Sequence, residues 1–386
     1  MKFISIISLI FVFSISINGN AKTILIGESE PLTGRLAVHG NAVHQGIKYA
    51  IEEVNAHGGI NGNRVRLITL DDRGRANIAI ANARRLIQQG VTGIVGGYVD
   101  SVVGPIAKLT NGAKIPYIAS ASLDKRLTKL GYRYFFRVSN MDGFTKPIAV
   151  FMKEFDNITV ALLYPGTPGA TQLANELRSK LQDKHIKIAL FERFRPGTHN
   201  FSALLLKIKK RKINFVISLG FLPDNILFVR ELRTNRIKLV GFLGAFGIES
   251  HLFSAKLGKL SEGILGTTGW DNDITYPGTE QFSRHYKITF EMIFGHQPDP
   301  LTMHGYAAAK ALIEAIRQTE NRHLIPNGSN IANTLHNIKL KLPLELLSFN
   351  KNGEPKYYRR VIFQIVNGKH IPLLRFPITP LYKVQK

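Results

Sequence analysis

Residues 24–72 read ILIGESEPLTGRLAVHGNAVHQGIKYAIEEVNAHGGINGNRVRLITLDD. The apolar run at 24–27 has the composition of a buried strand. Residues 28–40, rich in Gly, Pro and Thr, read as a turn. Val43, Ile47, Ala50, Ile51 and Val54 then recur at helical spacing and give one apolar face. His57-Gly58-Gly59 should end that helix, because a left-handed C-cap favours a residue without a β-carbon. A second strand, 65–70, runs into Asp71 and Asp72. This strand–loop–helix–loop–strand unit is the building block of a parallel sheet. Its long first loop sits at the carboxyl end of a strand, where open α/β sheets take ligands.

The chain has 386 residues, 44% of them hydrophobic, enough to bury the cores of two lobes. Residues 1–21 have the layout of a secretory signal: Lys2, an apolar run over 3–17, and a small-residue exit at Gly19-Asn20-Ala21. The run is shorter than the roughly 20 residues of a spanning helix, which weighs against a membrane anchor. There is no cysteine. Disulfides, thiolate metal sites, thiol nucleophiles and a lipid-modified cysteine are excluded together. The expectation is a free periplasmic protein, cleaved near Ala21. Lys+Arg number 51 against 27 Asp+Glu, a formal charge of +24, and cleavage would remove only Lys2 and leave +23. Such a charge attracts anions at long range. In a secreted protein it is read as solvated surface with a weak attraction to anionic membranes, and not as a nucleic-acid site.

Pro31-Leu32-Thr33-Gly34, Gly58-Gly59-Ile60-Asn61-Gly62 and the Asp71-Asp72 pair, in this order and spacing, resemble the periplasmic binding proteins for leucine, isoleucine and valine, which serve ATP-driven importers. The resemblance extends over roughly residues 24–370 and takes in Pro196-Gly197-Thr198-His199-Asn200-Phe201-Ser202, with Asn200 standing for an acid, and Tyr306-Ala307-Ala308-Ala309. It implies an α/β fold of the type I periplasmic-binding-protein class, two Rossmann-like lobes joined by three crossovers. The expected division is 22–140 with 272–354 in lobe 1, and 141–271 with 355–386 in lobe 2.

The resemblance also nominates a site. After the strand at 93–96, Asp100 and Ser101 occupy a turn that in the family holds a ligand carboxylate with a hydroxyl and helix N–H groups. A carboxylate from Asp100 would repel that anion, and Asp100 could alternatively serve as the helix N-cap. Ala121, Ser122 and Leu123 align with a Ser-Ala-Thr-like turn that holds the ligand's carboxylate and amino groups, with Leu123 in place of a hydroxyl. Gly169 stands where an aromatic residue stacks over ligand, and Tyr164 or Phe191 could substitute. Phe246 replaces an acid that neutralises a ligand ammonium, and Glu249 is the nearby acid that could replace it. A buried ammonium without a partner costs several kcal/mol. Phe221 completes the apolar pocket positions. His39 aligns with an aromatic that packs over ligand, a role that competes with simple exposure, and Arg35 is the candidate for an anionic ligand group.

The twelve histidines form no H-E-x-x-H and no i, i+4 pair with a carboxylate partner. G-x-S-x-G and G-x-x-x-x-G-K are absent. Ser122 to Lys125 matches S-x-x-K, but no K-T-G or S-D-N follows. We expect no metal, no cofactor and no catalysis. The function implied is reversible capture of a small solute, apolar or aromatic and with or without a carboxylate met by Arg35 or Ser122. Delivery would be to an inner-membrane ABC permease. The alternative is a sensor of the same fold, amide- or urea-type, that signals through a partner. A hollow bordered by Ser101, Ser122 and Phe246 is required by either.

Overall fold

The computed structural model describes residues 22–271 and 273–373; the signal segment read at 1–21 lies outside them. The first layer is built from β1 (Ile24–Glu30), α1 (Ala37–Ala56), β2 (Val65–Asp71), α2 (Ala76–Gln88), β3 (Gly93–Val95), α3 (Asp100–Gly112), β4 (Tyr117–Ala119) and β5 (Phe135–Arg137). Its five strands run parallel in the order β2-β1-β3-β4-β5. The second layer follows with α4 (Asp142–Phe151), β6 (Thr159–Pro165), α5 (Pro168–Gln182), β7 (Lys187–Phe194), α6 (Ser202–Lys210), β8 (Phe215–Ser218), α7 (Leu222–Thr234), β9 (Gly241–Gly244), α8 (His251–Leu257) and β10 (Leu265–Thr268).

The chain then returns. In α9 (Glu280–Phe294), Tyr286 and Phe290 pack on Tyr49 of α1, with ring centroids 4.6 and 6.1 Å away. Then come α10 (Thr302–Asn321), α11 (Gly328–Asn337) and the short pair β11 (Leu340–Lys341) and β12 (Leu346–Leu347). Phe349 still touches Phe136 of β5, at 5.1 Å. The chain next crosses a third time into β13 (Val361–Val366) and β14 (Lys369–Pro372). These two strands extend the second sheet antiparallel, in the order β14-β13-β10-β9-β8-β6-β7. This is the type I periplasmic-binding-protein fold, two doubly wound layers with three passages between them.

Local chemistry explains the opening unit. Gly58 and Gly59 take φ of +86° and +79°, and the Gly59 N–H closes the helix on the Val54 carbonyl at 2.9 Å. A β-carbon on Gly59 would lie 2.1 Å from the Asn63 carbonyl oxygen, so the turn admits no other residue. The Pro31-Leu32-Thr33 loop and the aspartate pair form one hydrogen-bonded unit. Asp71 accepts the N–H of Leu32 at 2.9 Å and the Thr33 hydroxyl at 2.5 Å, and Asp72 accepts the Ser29 hydroxyl at 3.0 Å. Strand order reverses at β1/β3 in one sheet and at β6/β8 in the other. Ligand crevices form outside the carboxyl ends of strands at such switch points. Here the two sets of carboxyl ends face each other.

Helices α1 and α10 pack backbone to backbone. A β-carbon on Gly46 would stand 1.8 Å from the Thr302 carbonyl oxygen, and one on Gly305 would stand 2.0 Å from that of Val43. Both obstacles are backbone and cannot swing aside. Gly46→Ala or Gly305→Ala should therefore destabilise the protein by about 3 kcal/mol, the upper range for overpacking. Urea denaturation would check it, and a loss under about 1 kcal/mol would show that the helices separate freely.

Candidate functional site

The site follows from the ends of the parallel strands. Tyr98, Val99, Asp100 and Ser101 come from the β3–α3 turn, and Ala121 and Leu123 follow β4. From the other layer, Thr167, Gly169 and Ala170 follow β6, Phe221 follows β8, and Phe246 and Glu249 follow β9. These residues line a cavity between the layers, with about 640 Å³ of space between atoms, part of it open to solvent. The passages add Ser139, Tyr358 and Arg360. Phe144 of α4, and Leu301 and His304 at the start of α10, complete the wall.

Asp100 sets the chemistry of the first-layer wall. Val99, not Asp100, takes the N-cap position of α3, and Asp100 begins the helix proper. Its carboxylate reaches across to the turn after β4. There Oδ1 accepts the Ser122 hydroxyl at 2.7 Å, the Leu123 N–H at 2.9 Å and the Asp124 N–H at 2.8 Å. Burial pushes the Asp100 pKa up, and these donors and the Arg137 charge pull it back. Its Oδ2 faces the second layer, where a β-carbon on Gly169 would meet it at 1.8 Å. Position 169 can therefore carry no aromatic ring while Asp100 keeps this pose. Tyr164 and Phe191, read as substitutes for that ring, instead pack on each other at 4.9 Å and do not line the cavity.

The second-layer wall is aromatic with one charged pair. Phe246 stacks near Phe221 at 5.9 Å and meets Phe144 at 5.1 Å. Glu249 is buried, and its Oε1 accepts Arg360 Nη2 at 3.0 Å. Arg360 is buried as well. It donates to the Thr267 hydroxyl at 2.8 Å, the Thr267 carbonyl at 2.6 Å and the Tyr358 hydroxyl at 3.1 Å, and lies 4.3 Å above the Phe144 ring. Glu249 Oε2 is shielded from solvent and has no hydrogen-bond partner. Burial raises the Glu249 pKa against the pull of Arg360. A donor brought in by a bound molecule would satisfy this orphaned acceptor.

Of the thirteen residues singled out from the sequence, the structure brings eight to the cavity: Asp100, Ser101, Ala121, Leu123, Gly169, Phe221, Phe246 and Glu249. Ser122 stands one layer behind, its hydroxyl given to Asp100. Arg35 spans from the β1 loop to α7, with Nη1 3.8 Å from Asp224 and its guanidinium 5.3 Å from the Phe221 ring centre. His39 is buried, stacked on Tyr98 at 4.7 Å, with neither ring nitrogen hydrogen-bonded. Arg35, His39 and Ser122 thus hold the wall from outside. Arg360, His304 and Tyr358 were not singled out beforehand. They come from late in the chain, and no local pattern marks them.

Comparison with known proteins shows the family and the fold. The family model described as "Periplasmic binding protein" matches residues 23–367. The chain belongs to that family. It is 25% identical over 349 residues to the leucine-, isoleucine-, valine-, threonine- and alanine-binding protein of Pseudomonas aeruginosa, covering 89% of this chain and 90% of that one. It is 27% identical over 352 residues to the Leu/Ile/Val-binding protein homolog 1 of Brucella suis, covering 89% and 91%. Among solved structures, the branched-chain amino acid transporter substrate binding protein LivJ of Streptococcus pneumoniae, in complex with isoleucine, superposes with a TM-score of 0.82. That match has 20% identity and covers 91% of this chain and 99% of that one. The leucine binding protein LivK of Thermotoga maritima gives 0.80 at 23% identity, with 91% and 97% covered.

Two buried histidines give the site a pH signature. Burial lowers the pKa of His39 to about 3, with Arg35 adding to the effect, and burial beside Arg360 lowers that of His304 to about 3. An unfolded chain protonates histidine near pH 6.5. Between these limits the unfolded state binds the extra proton. Each histidine therefore makes stability rise with pH by up to about 1.4 kcal/mol per unit, a contribution lost as pH falls from 6.5 toward 3. Asp72, raised to about 6 chiefly by burial, acts in the opposite sense between its ordinary range and that value. His39→Phe should flatten the acid limb of stability against pH by about one proton. An unchanged slope in urea melts between pH 4 and 6 would contradict the assignment.

Proposed function

We propose that this chain captures a small apolar or aromatic solute that carries a hydrogen-bond donor and no carboxylate, and delivers it from the periplasm to an ABC permease. The observation that carries the reading is the Asp100 carboxylate seated on the Ser122 hydroxyl and the Leu123 and Asp124 N–H groups. The family resemblance gives such donors to a ligand carboxylate; here the protein supplies the anion itself. A second carboxylate brought to the same turn would meet like charge and three donors already taken. The aromatic walls favour an apolar body. Glu249 Oε2 favours an amine, amide or hydroxyl pointed at it. Capture needs no bond-making. The site is walled by both layers, so a ligand that touches both favours the shut arrangement.

The relatives named above are binding proteins and not enzymes, and among the described residues no helix is long and apolar enough to cross a membrane. Both support a solute carrier that works between a secreted pool and a membrane partner.

Thermal-shift and calorimetric titration with leucine, leucinamide, phenethylamine and benzoate would decide the ligand class. We expect leucinamide or phenethylamine to bind at least tenfold more tightly than leucine or benzoate. Asp100→Ser frees the three donors and should raise affinity for leucine or benzoate tenfold or more, about 1.4 kcal/mol. Tight binding of leucine by the unaltered protein, with none of its amide, would overturn the reading.

A further inference from the structure

Starting two residues past Glu249 of the cavity wall, three side chains with metal-binding chemistry converge in the second layer. His251 is the first residue of α8, Asp271 lies just past β10 in the passage toward α9, and His370 belongs to β14. One ligand atom from each lies within 4.8 Å of the other two. We propose that His251, Asp271 and His370 form a binding site for a zinc ion that fastens α8 and β14 to the second passage between the layers.

The His251 and His370 rings stack 5.8 Å apart, so the half-exposed His251 ring must turn to aim Nε2 at an ion held by the other two. Zinc bonds of about 2.0–2.2 Å in a tetrahedron place ligand atoms about 3.4 Å apart. His251 Nε2 is 3.9 Å from Asp271 Oδ1, and His370 Nδ1 is hydrogen-bonded to Asp271 Oδ2. A small rotation of the carboxylate opens room between the latter two and draws the former two together. The ion takes the place of the His370 Nδ1 proton, which leaves to solvent. His251 Nε2 already has the state a ligand atom needs: it is shielded from water and accepts or donates no hydrogen bond. The Asp271 and His370 side chains are 5% and 4% exposed, whereas that of His251 is 41% exposed and leaves an entry route. Packing of the His370 ring on Phe363, at 4.2 Å, fixes its direction.

Two imidazoles and one carboxylate suit zinc and fall short of the oxygen-rich shell that calcium or magnesium requires. The three residues line a recess of about 770 Å³, into which Asp273 and Gln297 also face, and either of these or water can fill the fourth position. Lys287 and Lys369 line the same recess. Their charge disfavours a cation held by loose electrostatics, so the ion must be held by direct coordination.

The test uses the tag-free mature protein, stripped with chelator and titrated with zinc chloride by calorimetry. One saturable site per chain is expected, with Tm raised by about 3–5 °C at a hundredfold excess over Kd. His251→Gln, at a half-exposed position, and His370→Ala should each abolish that binding, and the metal-free Tm of His251→Gln should match the parent. Cobalt should show the visible absorption of a four-coordinate ion. The proposal is overturned if no stoichiometric site appears, if His251→Gln keeps it, or if calcium gives the same shift.

Discussion

An aspartate carboxylate that accepts three hydrogen bonds from a turn across the sheet edge organises the pocket. Asp100 starts a helix, where the macrodipole favours an anion, and it also closes the turn after β4 through Ser122, Leu123 and Asp124. Both effects lower the cost of burying its charge. Its outer oxygen then presses on position 169 from across the cleft, where only glycine fits. The unusual residues at 100 and 169 are therefore one feature and not two. An anion built into one wall excludes a ring from the other.

The remaining wall obeys a similar rule. Phe246 stands where a charged partner for an ammonium is expected from the family. Glu249 puts an acid on the same wall, and there it is balanced by Arg360. Burial raises the Glu249 pKa, and the guanidinium beside it, itself held by four acceptors, pulls it back. Because Arg360 leads into β13, the third passage carries a side chain that lines the cavity.

The fold could be read from the sequence because its signals are local. The apolar face of α1, the two glycines after it and the aspartate pair each act within a few residues of chain or through the sheet neighbour, and the structure keeps all three. The cavity loops could be read for a related reason: in a doubly wound sheet the residues just past each strand must share one edge. Long-range partners left no such trace. Glu249 and Arg360 are 111 residues apart, and nothing near either predicts the pairing. The sequence also left open whether Asp100 caps its helix, which depends on where the chain enters α3. Arg35 and His39 lie on the correct loop, but the folded chain turns them toward Asp224 and Tyr98, behind the wall.

The formal charge of +24 invites the thought that the ligand is an anion. The pocket argues otherwise. Surface charges act through water and salt, where their fields fall off over about 8 Å at physiological ionic strength. Inside the cleft the nearby groups decide. These are the carboxylates of Asp100 and Glu249, the single guanidinium of Arg360 already tied to Glu249, and a His304 ring kept neutral by burial. The lining is thus locally poor in available positive charge within a basic protein. A distant positive surface can speed the approach of an anion to the molecule, but it cannot supply the donors that Asp100 has already taken. Selection of the bound molecule therefore rests on the few groups that touch it.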